Sequence, residues 1–281
     1  MIGLLAPLSI RLQRLDARES VMNRRLRALA VLVCLLAATA FACSGSEKST
    51  YLALGDSFAA GVGASGEGNG YVPLFFSFLE DSRAESLSLR DLTVDGETTD
   101  SMIAEGQLGM ALAELRFRNH DNNPKNDVFV LTIDIGGNDI RDLAGEGQPC
   151  APPASITDAA CASAVTRTLT ATSQNLTAIL RSLRVAAGPD VRILVLDYFN
   201  PYSGTGQPLE EAGDLVLPLL NKEISDVAAT PGIDADLVET FDAFEGKGAE
   251  LTNVSGPEGD FHPNDDGYRV LADLVIAAYK K

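Results

Sequence analysis

Three short polar stretches contain the residue types that could cleave an acyl bond. Residues 55–58 (GDSF) and 136–139 (GGND) each follow an apolar run, and residues 262–264 (HPN) lie near the end of the chain. A serine hydroxyl becomes an effective nucleophile only when a neighbouring base removes its proton. The oxyanion formed by its attack then needs hydrogen-bond donors that are already in place. These stretches therefore suit nucleophilic catalysis by Ser57, with an imidazole as the base.

The chain offers two histidines as candidates for that base, His120 and His262. His120 lies in a polar segment among Asn and Asp residues, which indicates a solvated surface position. His262 directly precedes Pro263 and a predicted helix, so its backbone is held at a defined place. His262 is therefore the predicted general base.

The spacing of apolar residues predicts the elements that must position these groups. Continuous apolar runs predict buried strands, and a period of three to four residues predicts helices. The strands are predicted at 50–55, 89–94, 128–135, 191–196 and 237–241, and the helices at 71–80, 98–118 with a break near Gly106, a long segment ending at about Ala187, 215–229 and 265–280. This alternation indicates a mostly parallel sheet with helices on both faces. Such sheets bind ligands at the carboxyl ends of their strands, where Ser57 and Asn138 both lie.

Taken together and in order, the polar stretches resemble the motif blocks of the SGNH (GDSL-type) hydrolase family. The blocks are residues 55–58, Gly96 in a second turn, residues 136–139 and residues 262–264, and the resemblance covers residues 51–281. It implies a flavodoxin-like three-layer α/β/α sandwich with a mostly parallel five-stranded sheet. It also implies a serine esterase or lipase that needs no cofactor.

The resemblance assigns a role to each residue of the predicted site. Ser57 would form an acyl-enzyme, with His262 as the base. The backbone N–H groups of Ser57 and Gly96 and the side-chain amide of Asn138 would form the oxyanion hole. Two simpler interpretations stay open: Gly96 as a turn residue with positive φ, and Asn138 as a cap for the segment after its strand.

One position departs from the family pattern. The family usually has an aspartate three residues before the histidine, where this chain has Gly259. Asp260 is the nearest acid and is predicted to orient His262. Glu258 or a backbone carbonyl is the alternative orienting group, and a Ser–His dyad without an acid is a further one.

Other features of the chain exclude some chemistries. Residues 61–66 (GVGASG) match the residue pattern of a dinucleotide-binding fingerprint. They begin several residues after the strand ends and well before the next helix, so a flexible loop is predicted instead. The scattered acids, including Asp134 and Asp139, lack calcium-loop spacing and are expected to be solvated. Cys150 and Cys161 suit a disulfide, and no metal site is expected. An excess of 39 acidic over 22 basic residues, a net charge of −17, argues against nucleic acid or an anionic membrane surface as partner.

The first 42 residues are predicted to be a signal peptide, with Met22 as an alternative start. A basic cluster is followed by an apolar run of signal-sequence length and a small-x-small cleavage site. Cys43 after that site resembles the lipidated cysteine of bacterial lipoproteins, so residues 43–49 are predicted to be a lipid-anchored tether and residues 50–281 the hydrolase domain. The expected location is extracellular or at the bacterial cell surface, with membrane contact only through the anchor.

The predicted function is hydrolysis of carboxylic esters by a secreted, monomeric enzyme. Acyl transfer to an alcohol by the same site, a non-catalytic binding module and a nucleotide-binding oxidoreductase are the alternatives. The sequence does not identify the ester, because residues 141–161 and 198–213, which are expected to select it, are loops.

Overall fold

A fully buried strand, Thr50–Gly55, forms the centre of the fold. The computed structural model describes residues 48–152, 154–256 and 259–281. In this part of the chain five strands form one sheet in which all neighbouring strands are parallel. They are β1 (Thr50–Gly55), β2 (Ser88–Asp91), β3 (Val128–Asp134), β4 (Arg192–Leu196) and β5 (Asp236–Val238). Their order, β2-β1-β3-β4-β5, is the flavodoxin-like order.

Helices cover both faces of the sheet and pack on it in two groups. The first group pairs α1 with α9, and the second contains α2, α3, α5 and α6. The helices are α1 (Tyr71–Ser82), α2 (Thr99–Ala104), α3 (Gln107–Asn119), α4 (Gly137–Arg141), α5 (Ala159–Ala187), α6 (Leu209–Ala228), α7 (Phe241–Phe244), α8 (Gly248–Leu251) and α9 (Asp265–Tyr279). A helix long and apolar enough to cross a membrane is not found among the described residues.

Most elements lie where the apolar spacing predicts them. The predicted break near Gly106 is present, since that residue adopts φ +109° between α2 and α3. The predicted disulfide between Cys150 and Cys161 is also present, with the two Cα atoms 4.8 Å apart. It ties the loop after α4 to the first turn of α5.

Three predicted boundaries are wrong. Strand β2 ends at Asp91 rather than at residue 94. The last strand ends at Val238 rather than at residue 241, because the N–H and Oγ1 of Thr240 both donate to Asp197 Oδ1, at 2.5 and 2.7 Å. Helix α6 begins at Leu209 rather than at residue 215. The Glu210 carboxylate stabilises that early start by accepting hydrogen bonds from two backbone N–H groups of the preceding turn.

The N-terminal predictions lie outside the described residues. These are the signal peptide at 1–42, the alternative start at Met22, the lipidated Cys43 and most of the tether at 43–49.

Candidate active site

Ser57 lies in a tight turn at the carboxyl end of β1, with 4 % of its surface exposed. The turn requires glycine at position 55, where φ is +137° and a Cβ atom would lie 2.1 Å from Asp134 Oδ1. The Phe58 N–H donates to Asp56 Oδ1 at 3.0 Å, and the Val62 N–H donates to the Ser57 carbonyl at 3.0 Å. The backbone on both sides of Ser57 is therefore fixed.

His262 lies in the loop between α8 and α9, and backbone contacts position it. The Asn253 N–H donates to the His262 carbonyl at 2.9 Å, and Thr252 forms an antiparallel bridge with Pro263. Asn264 then caps α9, its Oδ1 accepting from two N–H groups of the first turn. The predicted defined position of His262 before a helix is thus observed.

The loop after Ser57 lies directly against His262. A Cβ atom on Gly63 would lie 2.7 Å from His262 Cβ. The Phe58 ring meets the imidazole edge-on, with centroids 6.0 Å apart, and the Phe261 ring stacks on it at 4.2 Å. Phe58 from the nucleophile turn and Phe261 from the histidine loop therefore both pack against the imidazole.

Asp260 orients the imidazole from the other side. Its Oδ1 lies 2.5 Å from His262 Nδ1 and accepts the His262 backbone N–H at 3.1 Å. An ionised carboxylate only accepts hydrogen bonds, so Nδ1 carries the proton and Nε2 has its lone pair free. The predicted Asp260–His262 contact is thus present in the structure, whereas Glu258, the alternative, lies outside the described residues.

His262 Nε2 is buried and has no hydrogen-bond partner among the described residues. No hydrogen bond joins it to Ser57 Oγ in this structure. Catalytic hydrogen bonds are often long without substrate and tighten when substrate binds. An unpartnered buried base nitrogen beside the serine turn is the arrangement that proton transfer from Ser57 needs.

The predicted oxyanion donors lie at the ends of three neighbouring strands. Gly96, after β2, has φ +77°, and Asn138, in the first turn of α4, is buried. Asn138 Nδ2 donates one N–H to the Glu97 carbonyl at 3.0 Å, which leaves its second N–H available. The backbone N–H groups of Ser57 and Gly96 donate to no group in the described part of the chain. Each of the three groups therefore keeps an N–H without a protein acceptor in the described part of the chain.

The expectation that Asp134 and Asp139 are solvated is wrong. Asp134 has 1 % of its surface exposed, and burial raises its pKa well above the usual range. Asp139 is half-buried with a raised pKa, and its carboxylate accepts hydrogen bonds from the Thr99 N–H, Thr99 Oγ1 and Thr172 Oγ1. Asp139 thereby joins α4 to α2 and α5.

The aromatic segment after β4 packs beneath the site. Tyr198 and Phe199 are buried, the Tyr198 hydroxyl donates to Asp56 Oδ2 at 2.7 Å, and Phe199 stacks on Phe58 with centroids 5.1 Å apart. These two rings therefore pack against the residues on either side of Ser57. Tyr202 is only half-buried.

One cation lies over the Phe261 ring that stacks on the imidazole. Arg141, the last residue of α4, places its Cζ 4.8 Å from the centroid of the Phe261 ring. The sequence did not single out this residue, because its neighbour Phe261 is 120 positions away along the chain.

The loop at 61–66 does not have the geometry of a dinucleotide turn. The N–H and Oγ of Ser65 donate to the Asp265 carboxylate at 2.8 and 2.6 Å, which ties the loop to the start of α9. The next helix, α1, begins only at Tyr71.

As for metals, the described residues contain no group of three or more His, Cys, Asp or Glu side chains that could hold an ion.

Comparison with known proteins is consistent with this geometry. The family model of the GDSL-like lipase/acylhydrolase family matches residues 53–270. The uncharacterized protein YpmR of Bacillus subtilis strain 168 is 24 % identical over 238 residues, which cover 84 % of this chain and 83 % of that protein.

Solved structures show the same fold. A Parabacteroides merdae protein described as a GDSL-like lipase aligns with a TM-score of 0.59 at 14 % identity, over 83 % of this chain and 96 % of that one. Phospholipase A1 from Streptomyces albidoflavus NA297 aligns with a TM-score of 0.56 at 21 % identity, over 82 % of this chain and 99 % of that one. The predicted parallel five-stranded α/β fold is confirmed.

Proposed function

Because this chain belongs to the GDSL-like lipase/acylhydrolase family and is therefore a hydrolase acting on esters, we propose that it works through an acyl-enzyme on Ser57. The observation that carries the proposal is His262 itself. Its Nδ1 is held by Asp260, and its buried Nε2 lacks a partner among the described residues beside the turn of Ser57.

The first half of the reaction forms the acyl-enzyme. Ser57 Oγ attacks the ester carbonyl carbon while His262 Nε2 accepts the hydroxyl proton. The carbonyl oxygen becomes an oxyanion, to which the Ser57 N–H, the Gly96 N–H and the second Asn138 Nδ2–H donate. Nε2 then gives the proton to the leaving alcohol oxygen as the carbon–oxygen bond breaks.

The second half uses the same groups with water. Nε2 takes a proton from a water molecule, whose oxygen attacks the acyl carbon, and the oxyanion forms again at the same donors. Collapse of this intermediate releases the carboxylic acid and returns the proton to Ser57 Oγ. Asp260 stays ionised throughout and stabilises the imidazolium that forms in each half.

Hydrolysis of p-nitrophenyl esters with acyl chains of two to sixteen carbons tests this proposal. The purified protein should release nitrophenol, and Ser57→Ala and His262→Ala should each abolish the release. The chain-length profile then separates an acetylesterase from a lipase. Release that survives Ser57→Ala would contradict the proposal.

The same experiment covers the alternative of acyl transfer. A competing alcohol should leave the total nitrophenol released unchanged, and the free acid should remain the main acyl product if water is the acceptor. An ester of the added alcohol as the main product would make the protein an acyltransferase.

We further propose that the enzyme is exported and anchored through a lipid on Cys43. The sequence pattern of residues 1–43 supports this proposal. Metabolic labelling with a fatty acid should label the wild type and not Cys43→Ser. A wild-type protein without label would contradict anchoring.

A further inference from the structure

Two carboxyl groups lie buried beneath the nucleophile turn, and the proposed reaction uses neither. Asp56 precedes Ser57, and Asp134 ends β3 opposite Gly55, with 2 % and 1 % of their surfaces exposed. Among the described residues neither carboxyl forms a salt bridge with a cation. A buried acid pair without a cation is costly unless hydrogen bonds and a retained proton compensate it.

Each carboxyl holds one of the two residues that follow Ser57. Asp56 Oδ1 accepts the Phe58 N–H at 3.0 Å, and Asp134 Oδ2 accepts the Ala59 N–H at 3.1 Å. These bonds fix consecutive peptide groups of the turn, and the peptide before them carries the Ser57 N–H.

Each carboxyl also accepts one tyrosine hydroxyl. Tyr198 donates to Asp56 Oδ2 at 2.7 Å, and Tyr71 donates to Asp134 Oδ1 at 2.9 Å. Burial raises the pKa of both hydroxyls well above the usual range, so they remain donors.

The two acids also act on each other's pKa. Burial and the neighbouring acid raise the pKa of Asp134 well above the usual range, and burial raises the pKa of Asp56 to about 6. The other titratable groups that act on the pair are the two tyrosines above, His262, and the buried Tyr51 and Tyr268. Burial therefore favours the protonated form of both acids, and more strongly for Asp134 than for Asp56.

We propose that Asp134 is a positioning residue for Ser57, acting through the hydrogen bonds that it accepts from the Ala59 N–H and the Tyr71 hydroxyl. This inference rests on the proposed function, because its effect is the orientation of the Ser57 hydroxyl and N–H toward the ester. Asp134 and Asp56 hold the two consecutive peptide N–H groups after Ser57, and together they close the turn.

Three substitutions separate this role from simple packing. Asp134→Asn keeps the shape of the acid and one acceptor oxygen, which can still accept the Ala59 N–H. Asp134→Leu fills a similar volume with no polar atom. Asp197→Asn is the matched control, because Asp197 is a buried acid just after the neighbouring strand β4 that bonds Thr240 and not the serine turn.

The first measurement tests the buried state of the Asp134 carboxyl and does not depend on catalysis. A carboxyl with a raised pKa stabilises the folded state at low pH, and that stabilisation is lost as pH rises through the raised pKa. Above the unfolded-state pKa of an aspartate, about 4, the wild-type unfolding constant should therefore rise more steeply with pH than that of Asp134→Asn. Asp197→Asn removes another buried acid with a raised pKa, so it serves as the control for kcat, which it should leave unchanged. Equal slopes for the wild type and Asp134→Asn would contradict the buried position of Asp134 on which the proposal rests.

The second measurement tests positioning. At pH 7 Asp134→Asn should keep kcat within about fivefold of the wild type, whereas Asp134→Leu should lose about 10²-fold in kcat with little change in KM, as expected for a displaced nucleophile. A Leu variant with wild-type kcat, or an Asn variant that loses as much as the Leu variant, would overturn the positioning role.

The two measurements also separate this inference from the proposed function. An inert wild type with the predicted difference in slope would contradict the esterase while keeping the buried acid beneath the serine turn. If Asp134→Leu does not fold, the pH dependence of the unfolding constant and the kcat of Asp134→Asn still test the proposal.

Discussion

The two halves of the candidate site are held by different means. The serine turn lies on the buried carboxyl ends of β1 and β3, and its peptide groups bind two buried acids. The histidine loop lies outside the sheet, where Asp260, with 34 % of its side chain exposed, is the acid that contacts the imidazole. Burial thus fixes the nucleophile, whereas local hydrogen bonds fix the base. Changes on the sheet side should therefore cost more activity than equivalent changes in the loop.

After removal of Ser57 or His262, the largest loss of activity is expected for Asn138→Ala, on the sheet side. It removes the oxyanion donor that Nδ2 offers, and the loss in kcat should be about 10²–10³-fold. Asn119→Ala is a matched control, because its side chain binds both backbone groups of Val128 at the opposite end of β3. The control should lower the unfolding midpoint and leave kcat unchanged. Equal kcat values for the two variants would exclude Asn138 from the oxyanion hole.

The contact between the halves is tested by Gly63→Ala. The added Cβ would lie 2.7 Å from His262 Cβ, so the imidazole must move, and kcat should fall about 10²-fold. Gly106→Ala imposes a similar backbone strain, with φ +109° against +89°, but its Cβ would meet no atom within 4 Å. The Gly106 variant should lose stability only. Should Gly63→Ala keep full activity, the serine turn and the histidine loop would not need this close approach.

A smaller loss is expected on the loop side, for Asp260→Asn. The amide cannot stabilise the imidazolium by charge, but water reaches Asp260, so kcat should fall by about 10–10²-fold and not by the roughly 10⁴-fold seen for a buried triad acid. Asp266→Asn, which alters an exposed acid paired with Arg269, is the control. Steady-state kinetics that show no loss for Asp260→Asn would favour the Ser–His dyad.

The smallest effect is expected for Arg141→Gln. An exposed cation–π contact contributes about 0.5–1 kcal/mol, so loss of the guanidinium from the Phe261 ring should change kcat/KM only about two- to fivefold. Arg269→Gln, on the exposed face of α9, should change nothing. A loss above about 10²-fold for Arg141→Gln would indicate direct contact with substrate rather than support of Phe261.

The same contrast explains what the sequence could predict. The strands and most helices follow from apolar spacing, and Ser57, His262 and Asp260 follow from motif order and local distance along the chain. The burial of Asp134 could not be predicted in either way. It depends on the Tyr71 hydroxyl and the Ala59 N–H, which come from residues 63 and 75 positions away along the chain. The short helix α4 was likewise missed, since five residues show no helical period.

The central claim, that Ser57 is activated by His262, is tested most directly by covalent labelling with a fluorophosphonate. Intact-protein and peptide mass spectrometry should find one label on Ser57 in the wild type and none in Ser57→Ala. His262→Ala should label more slowly by at least about 10³-fold, because the hydroxyl then has no base. Label on another residue, or equally fast labelling without His262, would contradict the account.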